Sequence, residues 1–262
     1  MRANITLIKL GGSVITFKDR PLSVNLKAIR NISHALLQLK TPLVLVHGGG
    51  SFGHYWSTKY GMHTKPYRYD SHGISIVHES MIALNQIIAN SMIKNGMNPY
   101  SIMPSIFMQG QEPISAKITE INTIAESGII PVTFGDIVHV NKGKYSILSG
   151  DSLMTIIAKV LKPSRVIFTL KVDGLYTDMK SQKLIHVVSP EDNSIEFSKV
   201  LSDVTGGMRR KVTEAFKIAA LGIDVLMING MKPDRIIDAV MDRNFVGTRV
   251  SSNKRRSVPY FV

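Results

Sequence analysis

Short, mostly apolar runs alternate along this 262-residue chain with longer stretches whose apolar residues recur every three or four positions. Ile5–Leu10, Leu43–Val46, Ile129–Phe134, Val166–Leu170 and Val225–Ile228 read as strands buried on both faces. Leu26–Leu39, Ile74–Lys94, Ser152–Leu161 and Lys211–Leu221 carry helical spacing, and in the second of these Val77, Met81, Leu84, Ile88 and Met92 fall on one stripe. The alternation predicts an α/β fold, a three-layer αβα sandwich around a mostly parallel open sheet. Asn141-Lys142-Gly143-Lys144 predicts an exposed turn between two short antiparallel strands, Ile137–Val140 and Tyr145–Leu148. Phe245-Val246-Gly247-Thr248 closes the fold. No linker or repeat divides the chain, and Pro163 is the candidate boundary between a lobe at 1–163 and a second, continuous with it, at 164–262.

The strands empty into glycines. After Leu43–Val46 come His47, Gly48, Gly49, Gly50, Ser51, Phe52, Gly53 and His54. Glycine lets the backbone turn sharply and present N–H groups with no Cβ in the way, and such a nest binds anions, phosphate above all. His54 adds a donor that titrates near neutrality. Three readings fit this stretch: a tight turn with a surface histidine, a dinucleotide fingerprint, or the acceptor site of a kinase. Gly48, Gly50 and Gly53 satisfy G-x-G-x-x-G, and Asp70 lies near the spacing of about 20 residues that a ribose contact requires. Between Gly53 and Asp70, however, Tyr55, Trp56, His63, Lys65 and Pro66 do not read as a clean helix followed by a strand.

Further glycine turns stand at Lys9–Ser13, Ser149–Asp151 and Thr205–Lys211. One such turn is uninformative. Four, with lysines at two of them, imply a large polyanionic ligand bound outside the carboxyl ends of the strands. The chain has no G-x-x-x-x-G-K-[ST] and no H-R-D or D-F-G set, which excludes a P-loop enzyme and a protein kinase.

Composition narrows the picture further. There is no cysteine, so neither disulfides nor thiolate metal sites are available. No apolar run approaches the roughly 20 residues of a membrane span, and Ile5–Leu10 is too short and polar for a signal peptide, so a soluble cytoplasmic protein is expected. Lys and Arg number 32 against 19 acidic residues, a net charge of +13. Such an excess raises a nucleic-acid partner. The basic residues are scattered, apart from Arg209–Lys211 and Lys254–Arg256, which favours small anionic substrates instead.

Together these motifs resemble the amino acid kinase superfamily over nearly the whole chain. Within it, His47–His54 with Lys9-Leu-Gly-Gly-Ser-Val-Ile-Thr16 is similar to the isopentenyl phosphate kinase family. Ile74–His78, Ser149–Asp151, Val172–Tyr176 and Asp203–Met208 fit the same family. Fosfomycin-resistance kinase shares the histidine and is the nearest competitor; a catalytically silent nucleotide-binding regulator is the alternative from another class, and Lys9, Lys18, Asp151 and Lys211 argue against it. The resemblance implies transfer of the ATP γ-phosphoryl group, with Mg²⁺ arriving on ATP, to isopentenyl phosphate in an archaeal-type mevalonate route. It also favours a homodimer.

Residue roles follow from that resemblance. Lys9 is expected to hold the β- and γ-phosphates beside Gly11, Gly12 and Ser13, and Lys18 to neutralise the transferring group. Gly48 and Gly49 sit between acceptor and donor, His54 and Gly53 hold the acceptor phosphate, and Gly150 closes its other side. Asp151 organises the lysines, while Asp173, Gly207 and Lys211 belong to the nucleotide lobe. Ile74, Val77, Ile137 and Ile147 are expected to line the pocket for the apolar tail. Two departures from the family pattern are Ser152, where a second aspartate often follows, and Lys171, where an acidic residue is common.

Overall fold

Along each central strand, successive side chains alternate between two cores. Leu7, Val44, Val46, Val166, Phe168, Val225 and Met227 enter one, while Ile8, Leu45, Ile167, Leu226 and Ile228 enter the other. This two-residue period, with both faces apolar, defines strands covered by helices on each side.

The computed structural model describes residues 3–177, 183–189 and 206–251. Asp203 to Thr205 and Lys254–Arg256 lie outside them. The chain runs β1 (Ala3–Leu10), α1 (Gly12–Ile15), α2 (Leu26–Leu36), β2 (Leu43–His47), α3 (Gly50–Lys59), α4 (Ser71–Lys94) and β3 (Pro99–Ser101). Then come α5 (Pro104–Phe107), β4 (Met108–Gln109), β5 (Glu112–Pro113), α6 (Ser115–Glu126), β6 (Ile130–Phe134), β7 (Asp136–Asn141) and β8 (Lys144–Leu148). It continues through α7 (Gly150–Leu161), β9 (Pro163–Leu170), β10 (Leu175–Tyr176), β11 (Leu184–Ile185) and β12 (Val187–Val188). The last elements are α8 (Gly206–Ala219), β13 (Val225–Asn229), α9 (Asp234–Met241) and β14 (Gly247–Val250).

Eight strands form one sheet in the order β12-β14-β13-β9-β1-β2-β6-β3, parallel except where β14 opposes β13. α6, α7 and α8 cover one face, and α2, α4 and α9 the other. The result is the expected three-layer sandwich. β9 opens at Pro163 and pairs with both β1 and β13, so one sheet runs through both halves of the chain. Among the described residues no helix is long and apolar enough to cross a membrane.

Local chemistry sets the boundaries. Asn25, Asp70 and Ser149 cap α2, α4 and α7, each accepting a hydrogen bond from the N–H three residues on. Lys142 and Gly143 take φ of 44° and 73°, as a two-residue turn between β7 and β8 demands. The stretch after Gly53 corrects half of the sequence reading: α3 extends to Lys59, but the chain then runs to α4 with no strand element in between. α3 buries only Ser51 and Phe52, so no apolar stripe announced it. α6 and α9 went unread as well, although Ile118, Ile121 and Ala125 of α6 do face the core.

Candidate active site

The carboxyl ends of β1, β2, β6 and β9 open into a cleft of about 500 Å³, within the range of ligand sites. Its walls bring together Lys9, Gly12, Ser13, Lys18, Gly48, Gly49, Gly53, His54, Val77, Ile147, Gly150, Asp151, Gly207 and Lys211. These residues come from α1, α3, α4, β8, α7 and α8 as well as from the strand ends.

Main chain packs against main chain here. A Cβ on Gly12 would lie 2.5 Å from Gly50 N, and one on Gly150 would lie 2.8 Å from the His47 carbonyl oxygen. The turns after β1 and β2, and the start of α7, therefore converge only because these positions carry no side chain. Helix starts leave their first N–H groups without intrahelical partners, so the convergence supplies donors suited to phosphate.

Lys9 and Asp151 form a buried ion pair, and Lys211 Nζ approaches the other carboxylate oxygen of Asp151 at 3.3 Å. Burial lowers Lys9 to about 8 despite the attraction of Asp151, with the Lys211 charge adding to the fall. For Asp151, burial alone would raise the pKa; the Lys9 and Lys211 ammonium groups outweigh it and hold the carboxyl below its ordinary value. A carboxylate engaged on both oxygens organises cations and is ill placed to act as a base.

His54 projects from α3 into the cleft, with its surface exposed there. Desolvation lowers its pKa, and the positive charges of Arg210, Lys18 and Lys211 lower it further, which leaves a neutral imidazole at pH 7. The motif's other histidine, His47, has a different part. It is fully buried, stacks on Phe134 at 5.2 Å, and interacts with Asn85 Oδ1 and the Gly48 carbonyl. Burial takes its pKa to about 4. His47 is a structural residue.

Four expected site residues stand off the cleft wall. The Gly11 N–H donates to Thr169 Oγ1 at 3.0 Å, so that turn faces β9. Asp173 pairs with Arg235 at 2.5 Å and accepts from Asn229 Nδ2 at 2.7 Å, which commits it to α9 and β13. Ile74 and Ile137 join Val77, Ile147 and Met62 in one apolar cluster, yet only the latter three reach the wall. Asp70, the acid that the dinucleotide reading would need, is spent on capping Gly73 N at 2.7 Å.

Other wall residues were not anticipated as site residues. Asp136, buried, accepts from His78 Nδ1 at 2.7 Å and from its neighbour Ile137 N at 2.7 Å. Burial raises its pKa, and the bond to Asp136 raises that of His78. The signal was the repeated strand–Gly–Asp order at Gly135-Asp136 and Gly150-Asp151. Arg210 and Met81 also line the cleft. Of the two departures, Lys171 lies on the wall, and Ser152 donates its N–H to Ser149 Oγ as part of the α7 cap.

A parallel sheet whose strand ends gather glycine turns and cations defines an enzyme class that handles phosphate groups, and comparison places the chain within it. A model of the amino acid kinase family matches residues 4–229. Isopentenyl phosphate kinase of Thermoplasma acidophilum is 34% identical over 92% of this chain and 98% of its own length. That of Methanothermobacter thermautotrophicus is 31% identical over 94% and 98%. The crystal structure of the T. acidophilum isopentenyl phosphate kinase product complex superposes with a TM-score of 0.78 at 30% identity, covering 94% of this chain and 99% of that one. The chain belongs to the amino acid kinase family and, within it, to the isopentenyl phosphate kinases.

Proposed function

We propose that this chain transfers the γ-phosphoryl group of ATP to isopentenyl phosphate, giving isopentenyl diphosphate and ADP as a step of an archaeal-type mevalonate route. One observation carries the reading: a single cleft joins a wall of glycine turns and cations to an apolar cluster of Met62, Val77 and Ile147. A phosphate monoester with an apolar tail is complementary to both parts.

The chemistry asks little of a base. The second pKa of a phosphate monoester is near 6, so the acceptor oxygen is anionic at neutral pH and attacks Pγ as the bond to ADP breaks. The difficulty is bringing two anions together, which makes catalysis a matter of position and charge. Lys9, Gly12, Ser13, Gly49, Gly207 and Lys211 hold the nucleotide phosphates. Lys18 neutralises the transferring group. Neutral His54 donates to the acceptor phosphate, with Gly48, Gly53 and Gly150 around it, and Asp151 keeps Lys9 and Lys211 in register. Val77 and Ile147 contact the tail, backed by Ile74 and Ile137. In this arrangement the acceptor rests on residues of the lobe at 1–163, and the nucleotide phosphates bridge from that lobe to Gly207 and Lys211 of the lobe at 164–262.

Mg²⁺ supplies charge neutralisation on the ATP phosphates. The Asp151 carboxylate is already engaged by Lys9 and Lys211, which suits an ion that arrives with the nucleotide. A homodimer suits the exposed Ile93, Tyr100, Met103 and Ile106 near β3, the strand at one end of the sheet. A cytoplasmic location suits an ATP-consuming enzyme. The test is a coupled ATP assay with isopentenyl phosphate, fosfomycin and uridylate side by side. Turnover at least 100-fold more efficient with isopentenyl phosphate is the result expected from an apolar tail pocket. Equal or better turnover with either rival overturns the reading.

A further inference from the structure

Arg210, like Lys171, is a cation of the cleft that the roles above leave unused. It stands in the second turn of α8, beside Lys211, and lines the cleft that also contains His54 and Lys9. We infer that Arg210 is a further phosphate-binding residue of this reaction, its guanidinium gripping the acceptor phosphate and the transferring phosphoryl group across from His54. The inference rests on the phosphoryl transfer proposed above.

Three observations converge on it. Lys9 and Lys211 are both tied to Asp151, whereas among the described residues Arg210 has no carboxylate partner. A cation left unpaired on a cleft wall, while its neighbours are neutralised, is free to meet an anion. Position is the second. Arg210 shares the wall of one cleft with His54 and Lys9, and its charge acts on both, lowering the pKa of each. Chemistry is the third. A guanidinium is planar, forks onto two phosphate oxygens and stays charged at any working pH. Lys9, at about 8, does not keep its charge to such high pH. A loose transition state spreads charge over the equatorial oxygens of the moving group, where a fork is better matched than a point charge. The neighbouring Arg209 is exposed and lies off the cleft wall, which makes it the internal control.

The experiment measures kcat and KM for ATP and for isopentenyl phosphate in Arg210→Ala, Arg210→Lys and Arg209→Ala. Removing Arg210 is expected to lower kcat about 100-fold, the lower end of the range for one lost transition-state donor. It should also raise KM for isopentenyl phosphate more than KM for ATP. Arg210→Lys should recover only part of the rate, since the charge returns without the fork, and Arg209→Ala should match the wild type. The imidazole of His54, followed by NMR in the ligand-free enzyme, should titrate at higher pH in Arg210→Ala. Kinetic constants within twofold of wild type in Arg210→Ala, with a wild type that turns over isopentenyl phosphate, overturn the inference alone. A wild type that leaves isopentenyl phosphate untouched overturns the functional reading instead. Inorganic pyrophosphate binding by calorimetry then decides on Arg210: weakening of tenfold or more in Arg210→Ala sustains the phosphate-binding assignment, and unchanged binding removes it.

Discussion

At one end of the cleft the main chain does the holding: Gly12 packs on Gly50 and Gly150 on His47 so tightly that a Cβ would strike backbone atoms, and Lys9 and Lys211 close on Asp151. At the other end only side chains meet, with Met62, Val77 and Ile147 on the wall and Ile74 and Ile137 behind them. Backbone turns and a buried ion pair are unforgiving, because each atom is fixed by others from distant segments. An apolar wall yields, since contacts of this kind lack direction and a neighbouring methyl group can fill part of a gap. Under the proposed function the phosphate end carries the reaction, and the apolar end decides which acceptor reacts.

The largest effect is expected where charge is buried. Asp151→Asn leaves Lys9 without its counter-ion, and removing one partner of a buried pair costs about 3–5 kcal/mol. Denaturant unfolding at pH 7 measures it. A loss below about 1 kcal/mol, the scale of an exposed pair, would mean that the phosphate end is not the rigid one.

His54→Ala should come next, lowering kcat about 10²–10³-fold while the fold is retained, and His54→Gln should keep more activity because a neutral donor survives. Steady-state kinetics with isopentenyl phosphate checks both. Near-normal turnover in the alanine variant would remove His54 from the mechanism.

A smaller effect follows from Lys9. Its pKa in the free enzyme is lowered to about 8, and only the protonated form attracts phosphate. The kcat/KM for ATP, which reports free-enzyme groups, should therefore fall by up to about tenfold per pH unit above that value. Stability has the opposite sign. The folded state releases the Lys9 proton before the unfolded chain does, so the penalty for burying its charge is relieved as pH rises from about 8 towards 10.5. A flat kcat/KM profile through this range would contradict the burial of Lys9.

Asp70→Ala should do least. Its carboxylate caps α4 away from the reacting groups, so about 1 kcal/mol of stability should go while turnover stays unchanged. A loss of nucleotide affinity in this variant would revive the ribose role that the spacing alone suggested.

The same contrast explains what could be read in the sequence. The phosphate end is written in contiguous words, because a strand followed by glycines places its own N–H groups, and Lys9–Ser13, His47–His54 and Ser149–Asp151 all lead to the cleft. The five central strands β13, β9, β1, β2 and β6 and the long helix α4 were equally plain from their apolar runs, while the short strands β3, β12 and β14 at the two ends of the sheet were not. Where the partner is remote, the local signal misled. Gly11 resembles its neighbour Gly12 in sequence, but Thr169 of β9 claims its N–H, and Asp173 is claimed by Arg235 and Asn229. The apolar end has no motif. Its residues come from α4, β7, β8 and the segment after α3, so position along the chain picked out four members of one cluster and could not tell the front row from the back. Arg210 was hidden for the same reason, since nothing local says that a helix residue faces a cleft, whereas Asp136 stood in a strand–Gly–Asp order that repeats at Gly150-Asp151.

The most direct test of this division uses two acceptors with one head group, isopentenyl phosphate and methyl phosphate, and compares their kcat/KM ratio in the wild type, His54→Ala and Val77→Ala. The account predicts that His54→Ala lowers both values and leaves the ratio unchanged. Val77→Ala should narrow the ratio by about 1–3 kcal/mol while sparing methyl phosphate. A ratio near one in the wild type, or a ratio that moves with His54 and not with Val77, would contradict it.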